Sequence, residues 1–186
     1  AFMSMIGNTL LNEIVNSKNI LSPEIILSTL HRLVSALLSQ ENYQNDSGMD
    51  ICLCRVEKTE NQSTIVYSGA KRPLFILPPE RQTVEIIKGS RKSIGGILKL
   101  ENKYDFNSET LTFNEKGVRI YLVTDGFTDQ NNIDRQKFGT SKLHGLICKN
   151  RDKSMQEQGE LLKDEIISWM KNTDQRDDIT LWGIEI

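Results

Sequence analysis

The apolar positions of the chain change period three times, and the changes divide it into helical and extended blocks. Over residues 2–15 they fall at Phe2, Met3, Met5, Ile6, Leu10, Leu11, Ile14 and Val15, which is helical spacing with one broad apolar face. A second helix opens at Ser22-Pro23-Glu24 and runs to about Gln40, through Ile26, Leu27, Leu30, Leu33, Val34, Leu37 and Leu38. Ser22 suits its cap, Pro23 its first turn, and Glu24 the positive end of its dipole. From residue 49 the texture is β. Strands are predicted over 49–56 and 63–68 around a polar hairpin loop at 58–62, then over 74–77 and 83–87 around Pro78-Pro79. Consecutive strands of this kind suggest an antiparallel meander, not a βαβ series.

Residues 89–107 read as a long irregular stretch, with Ser93-Ile94-Gly95-Gly96 a flexible spot that could approach a ligand. A hairpin is predicted from 109–113 and 118–124 about Asn114-Glu115-Lys116-Gly117, and a polar excursion over 129–138. Helices follow at 141–149, capped by Ser141, and at 154–171, with Leu161, Leu162, Ile166, Ile167, Trp169 and Met170 as apolar positions. An acidic turn at 172–178 leads into a closing strand at 179–186. The sum is about seven strands and four helices, paired before and after a strand block. That order predicts an α+β fold with helices on the outside of stacked antiparallel sheets.

Length and composition narrow the function. The 186 residues fit a single domain spanning 1–186 that can bury a core. A net charge of −2 leaves no basic footprint for nucleic acid. No apolar run approaches a membrane span, and the opening residues are amphipathic, unlike a secretory signal. Three cysteines, Cys52, Cys54 and Cys148, are too few for a disulfide framework and point to a reducing cytoplasm. Cys52 and Cys54 share a strand face and read as small apolar residues. His31 and His144 both fall in helical segments, His31 on the surface or partly buried, so a Cys/His zinc site is not expected. No phosphate loop of the G-x-x-x-x-G-K-S/T type occurs.

What remains is a set of acids at strand ends. The run Val118-Arg119-Ile120-Tyr121-Leu122-Val123-Thr124 stops on Asp125-Gly126. Arg176-Asp177-Asp178 precedes the last strand, and Asp50 lies in Gly48-Met49-Asp50. Hard divalent cations prefer carboxylate and water oxygens, and a strand end holds a carboxylate rigidly. Taken alone, each cluster also reads as a solvated turn.

Thr124-Asp125-Gly126-Phe127-Thr128-Asp129 followed by Asp177-Asp178-Ile179-Thr180 resembles the metal-dependent serine/threonine protein phosphatases of type 2C (the PPM superfamily), in their bacterial SpoIIE/RsbU-like branch. Further pieces fall in that family's order: the opening helix, Gly48-Met49-Asp50, Ser68-Gly69-Ala70-Lys71-Arg72-Pro73-Leu74-Phe75, Ser93-Ile94-Gly95-Gly96 and Lys137-Phe138-Gly139. The resemblance runs the length of the chain. It implies an α-β-β-α sandwich of antiparallel sheets flanked by helices, with a two-metal Mn²⁺ or Mg²⁺ site that activates water for in-line attack on phosphorus. Carried over by motif, Asp125, Gly126, Asp177 and Asp178 make the metal site. Asp50 falls where some members have an acid near the metals. Lys71 and Arg72 replace the histidine that relatives have after Asn-Ala-Gly, and either reads as a phosphate contact or as surface charge.

The family also has an Asp-x-x-Gly-His-Gly motif that supplies an aspartate bridging the two metals. No aspartate precedes Phe2 here. The expectation is therefore of a domain cut from a longer chain, incomplete at its N-terminus, lacking the first strands and weakly active or inactive by itself. Its partners would be a phosphorylated regulatory protein such as an anti-sigma-factor antagonist, an upstream sensor domain, and a second copy recruited to an exposed sheet edge. The alternative is a phosphatase-derived module that binds without catalysis.

Overall fold

The computed structural model describes residues 2–38, 47–96 and 105–186. The chain divides into two compact units, one of Ala1–Pro73 with Lys88–Asn114, the other of Leu74–Ile87 with Glu115–Ile186.

In the first unit, helix α1 (Phe2–Asn12) passes into a π-helical turn (Glu13–Ser17) instead of ending as a regular helix, and the Lys18 N–H closes that turn on the Glu13 carbonyl at 3.0 Å. Helix α2 (Pro23–Leu37) starts where the Ser-Pro-Glu signal puts it, though the Ser22 side chain makes no cap hydrogen bond. Both helices bury one stripe. Ile6, Ile14, Ile26, Leu27, Leu30 and Val34 pack with Ala70, Ile94 and Phe106, and Ile51 and Leu53 close the layer from the sheet. That sheet is antiparallel, in the order β2 (Ile51–Lys58), β3 (Ser63–Ala70), β7 (Glu109–Phe113). Cys52 and Cys54 lie on the face opposite Ile51 and Leu53, since successive side chains alternate. The hairpin expected around 58–62 forms, with Lys58 opposite Ser63.

Two short strands complete the unit, β1 (Gly48–Met49) and β6 (Ile94–Gly95), paired antiparallel. Ile94 and Gly95, the middle of the stretch expected as a flexible spot, are thus drawn into a ladder, and Ile94 is fully buried. The Gly95 N–H donates to Nδ1 of His31 at 2.9 Å. His31 is accordingly only 2% exposed, deeper than its place on a helix suggests.

The second unit is built on a four-stranded antiparallel sheet in the order β5 (Glu85–Ile87), β4 (Leu74–Leu77), β8 (Arg119–Val123), β9 (Leu181–Glu185). Helices α4 (Thr140–Lys149) and α5 (Met155–Met170) contribute Leu143, Ile147, Leu162 and Ile166 to a core with Phe75, Leu77, Tyr121, Val123, Phe127 and Phe138. A buried polar relay crosses this core. The Tyr121 hydroxyl donates to Oε1 of Gln158, whose Nε2 donates to the Asn150 carbonyl, both at 2.7 Å. Ser154 and Glu157 form a reciprocal capping box on α5. Helix α4 starts one residue earlier than predicted, with Gly139 at the cap in place of Ser141 and φ of 83°.

The hairpin expected from 109–113 and 118–124 does not form. Strand β7 pairs with β3, and β8 pairs with β4 and β9. Gly117, at φ 85°, gives its N–H to the Ile186 carbonyl at 2.9 Å, so the chain there turns toward its own C-terminal strand. A further element the hydrophobic pattern does not announce is α3 (Asp125–Asp129), a five-residue helix directly after β8. Among the described residues no helix is long and apolar enough to cross a membrane.

Candidate functional site

The acids of the second unit are held by main-chain geometry. Strand β8 ends at Val123, and Thr124 is extended, with φ −77° and ψ 156°, before α3 begins at Asp125. Thr124 continues the pairing with the chain entering β9: its N–H donates to the Thr180 carbonyl at 3.0 Å. Its hydroxyl accepts from the Thr180 N–H at 2.9 Å and donates to the Asp178 carbonyl at 2.9 Å. One short side chain thereby ties the end of one strand to the acidic turn leading into the other.

Gly126 makes the second tie. A Cβ at Gly126 would overlap the Asp178 carbonyl oxygen and would stand 3.4 Å from the Asp177 carbonyl carbon. The two acidic segments approach as closely as backbone allows, and only glycine permits it. Phe127 then anchors α3 from below, 2% exposed and edge-on to Phe138 with ring centroids 5.2 Å apart. The third tie is Gln130, which follows α3 directly. Its buried amide donates to the Asp174 carbonyl at 3.0 Å and accepts from the Arg176 N–H at 3.3 Å.

The carboxylates are carried on this frame. Asp125 is half-buried, while Asp177 and Asp178 are exposed. The Asp178 N–H donates to Oδ1 of Asp177 at 2.8 Å, and Nε2 of Gln175 donates to the Asp177 carbonyl at 2.8 Å. The structure thus brings together the segments bearing Asp125, Gly126, Asp177 and Asp178. The donors are all hard oxygens. Among the described residues no group of three or more His, Cys, Asp or Glu is placed to hold a metal ion. Such a set suits Mg²⁺ or Mn²⁺, which takes one or two carboxylates and keeps several waters. The Gly126 cradle holds the segment of Asp125 against that of Asp177 and Asp178, and the oxygens these segments offer are of the kind such a cation prefers.

The first unit carries the remaining acid and the two basic residues. Arg72 pairs with Asp50 through Oδ2 at 2.9 Å, and the Ser93 hydroxyl donates to the other oxygen, Oδ1, at 2.7 Å. Arg72 and Asp50 are therefore mutually neutralised. Lys71 is exposed and has φ of 58°, a left-handed backbone rare for a side-chain-bearing residue. Its conformation is fixed from both sides. The Lys71 N–H donates to the Ser90 carbonyl at 2.8 Å, and the Ser90 N–H donates to the Gly69 carbonyl at 2.7 Å. The Tyr67 hydroxyl holds the Arg72 carbonyl at 2.5 Å.

Gln130 escapes a sequence reading because it lies in a polar run that predicts an exposed loop. Only its neighbours, Phe127 and Phe138, hint that the run folds back over a core. Thr124 belongs to the motif, but its part in binding both segments depends on a partner 56 residues away.

A model of the family described as stage II sporulation protein E (SpoIIE) matches residues 1–186. None of the curated proteins matches the sequence. Among solved structures, the SiaA-PP2C domain of Pseudomonas aeruginosa is similar with a TM-score of 0.84 at 24% identity, over all of this chain and 70% of that one. The phosphatase domain of the cell fate determinant SpoIIE from Bacillus subtilis, presoaked with Mn, is similar with a TM-score of 0.52 at 20% identity, over 97% of this chain and 73% of that one. RsbX in complex with magnesium gives 0.53 at 16% identity, over all of this chain and 76% of that one. At these identities the likeness speaks for fold, and the fold is the expected one: α+β, with antiparallel sheets and flanking helices, of the type 2C phosphatase kind.

Proposed function

Since the chain belongs to the SpoIIE family and is a phosphatase domain of the type 2C kind, we propose that it serves a bacterial signalling protein as a Mn²⁺- or Mg²⁺-dependent serine/threonine phosphatase domain. Its substrate is a phosphoserine or phosphothreonine on a cytoplasmic regulatory protein, of the class of anti-sigma-factor antagonists. The observation that carries the reading is the Gly126 cradle, where the Asp125 segment closes on the carbonyl of Asp178 with no room for a side chain. A turn that merely ended a strand would have no need of so close an approach.

A bound cation would supply an activated water and offset the charge that develops on the phosphoryl oxygens. The chain's own residues do the rest. Asp125 and Asp177 would hold the cation from two segments that Thr124 locks together. Asp178 would either bind the cation or orient one of its waters, and its carbonyl seats Gly126. Lys71 offers an exposed positive charge to a phosphorylated peptide, and Arg72 is kept in place by Asp50.

The test is Mn²⁺ titration by calorimetry together with hydrolysis of a phosphoserine peptide, on the wild-type protein and on Asp125→Asn and Asp177→Asn. Wild-type binding and turnover that fall at least about tenfold in each variant support the reading, since removing one ligand of a hydrated cation should cost that much. Turnover unchanged in both variants overturns it. Neither binding nor turnover in the wild type leaves the phosphatase-derived binding module as the function.

A further inference from the structure

We infer that Gln130 is a positioning residue, whose buried amide sets the backbone of the acidic turn and so the placement of Asp177 and Asp178. The inference rests on the metal-site reading above and adds to it a residue outside the acidic motifs.

Gln130 is the first residue after α3, the short helix that begins with Asp125. It is 1% exposed, although it follows Asp129 and precedes two asparagines in a polar run. Its side chain points at the loop between α5 and β9 and is used at both ends. Nε2 donates to the Asp174 carbonyl at 3.0 Å and to the Asn131 carbonyl at 3.2 Å. Oε1 accepts from the Arg176 N–H at 3.3 Å. The Gln130 carbonyl is occupied as well, by the Phe138 N–H at 2.9 Å and the indole Nε1 of Trp169 at 3.2 Å. The main chain of Gln130 is thus clamped to the core, and the amide reaches out from that fixed point to the peptide units just before Asp177.

Geometry makes the amide specific. A donor and an acceptor on one rigid plane bind a carbonyl and an N–H two residues apart, and no other uncharged side chain of that length does both. Buried amides left unpaired are costly, so the turn has one favoured conformation in which both ends are satisfied. The two segments bearing the acids are therefore joined on both sides, by Gly126 and Thr124 against Asp178 and Thr180, and by Gln130 against Asp174 and Arg176. Partners that orient metal ligands are typically worth about 10–100-fold in metal affinity.

The test compares wild type with Gln130→Met, which keeps length and volume and removes both hydrogen-bonding ends. Gln158→Met is the matched control. Gln158 is also 1% exposed and also joins two partners, Tyr121 and Asn150, but touches nothing in the acidic turn. Two readouts are taken: amide hydrogen exchange at Arg176 in metal-free protein, and Mn²⁺ affinity by calorimetry with the metal alone. The expected result is Arg176 exchange at least about tenfold faster and Mn²⁺ binding about tenfold weaker in Gln130→Met, with neither changed in Gln158→Met. Arg176 exchange at the wild-type rate overturns the inference, as does an equal loss of Mn²⁺ affinity in the two variants. If Gln130→Met does not fold, Gln130→Asn carries the same test, since it keeps a polar amide but, one methylene shorter, no longer reaches Arg176. If wild type takes up no Mn²⁺, the metal-site reading fails by itself, and Arg176 exchange alone decides the role of Gln130.

Discussion

The carbonyl oxygen of Asp178 occupies the space that a side chain on Gly126 would need. The neighbour is backbone, so it cannot swing aside as a flexible side chain would, and relief requires the acidic turn to move bodily. Gly126→Ala is therefore expected to cost about 1–3 kcal/mol, the usual range for overpacking. At this chain length that lowers the melting temperature by about 2–4 °C per kcal/mol. Gly145 in α4 is the contrast, because a Cβ there meets nothing within 4 Å. Gly145→Ala should raise stability by about 0.5–1 kcal/mol through helix propensity. Scanning calorimetry on the two variants checks the pair, and a Gly126→Ala melt at the wild-type temperature would remove the cradle from the account.

Thr124 gives a second, finer expectation. Its methyl and backbone suit the end of a strand, so Thr124→Val preserves shape and removes one hydroxyl. The loss leaves the Thr180 N–H and the Asp178 carbonyl without their partner. Both groups are near solvent, so water recovers part of the deficit. The expected cost is about 0.5–1.5 kcal/mol, read as a lower urea midpoint at unchanged slope. Thr124→Ser, which keeps the hydroxyl, should stay closer to wild type than Thr124→Val does.

These two residues also mark where the sequence speaks and where it falls silent. Strand β8 and its terminal Asp125-Gly126 are legible because an apolar β-branched run ending on a turn signal is a local pattern. The capping box of α5 and the Ser22-Pro23 start of α2 are legible for the same reason. Pairing is not local. Strands β7 and β8 look like a hairpin because four polar residues separate them, yet Gly117 commits its N–H to Ile186, at the far end of the chain. Gly95 looks like a flexible spot until His31, 64 positions away, accepts its N–H. Gln130 looks like loop surface until the fold closes Phe138 and Trp169 around its carbonyl. The acids could be named from their motif. Of the neutral groups that hold them, Thr124 and Gly126 stand in the motif, but the partners that give them their role, and Gln130 altogether, are set by long-range contacts.

Burial of the two histidines predicts an acid-side loss of stability. Desolvation lowers the pKa of His31 below its ordinary value of 6.5, with the nearby charge of Lys92 acting in the same direction and a backbone hydrogen bond to Ser93 opposing. Desolvation alone lowers that of His144, which stands edge-on to Phe75 with centroids 4.7 Å apart. Both are bases whose neutral form the fold prefers, and Nδ1 of His31 must stay unprotonated to accept from Gly95. Below 6.5 the unfolded chain binds protons that the folded chain does not. Stability is therefore fully present above that value and falls as pH drops toward the lower folded values. Urea midpoints measured from pH 7.5 down to pH 5 should decline, and the decline should be shallower in His144→Gln. A midpoint that rises over this interval would contradict the argument.

The loop carrying Lys71 and Arg72 allows a separation of roles between adjacent basic residues. Arg72 is about four-fifths buried, with side-chain exposure of 21%, and its partner Asp50 is at 23%. An ion pair at that depth lies between the exposed kind, worth about 0–1 kcal/mol, and the fully buried kind, whose breakage costs about 3–5 kcal/mol. Arg72→Met leaves Asp50 with the Ser93 hydroxyl as support, so the expected loss is about 1–2 kcal/mol. The Michaelis constant for a phosphopeptide should change little in that variant. Lys71 differs on each count. It is exposed, and its left-handed backbone is enforced by Ser90 and Gly69 whatever the side chain does. Lys71→Ala should therefore melt within about 1 °C of wild type, as surface substitutions do, while weakening phosphopeptide binding severalfold. That weakening should shrink as salt is raised, because an exposed charge is screened over about 8–10 Å at moderate ionic strength. Melting curves and peptide titrations at two salt concentrations read both variants together. A stability loss in Lys71→Ala with unchanged peptide affinity would reverse the assignment, making Lys71 structural and its charge incidental.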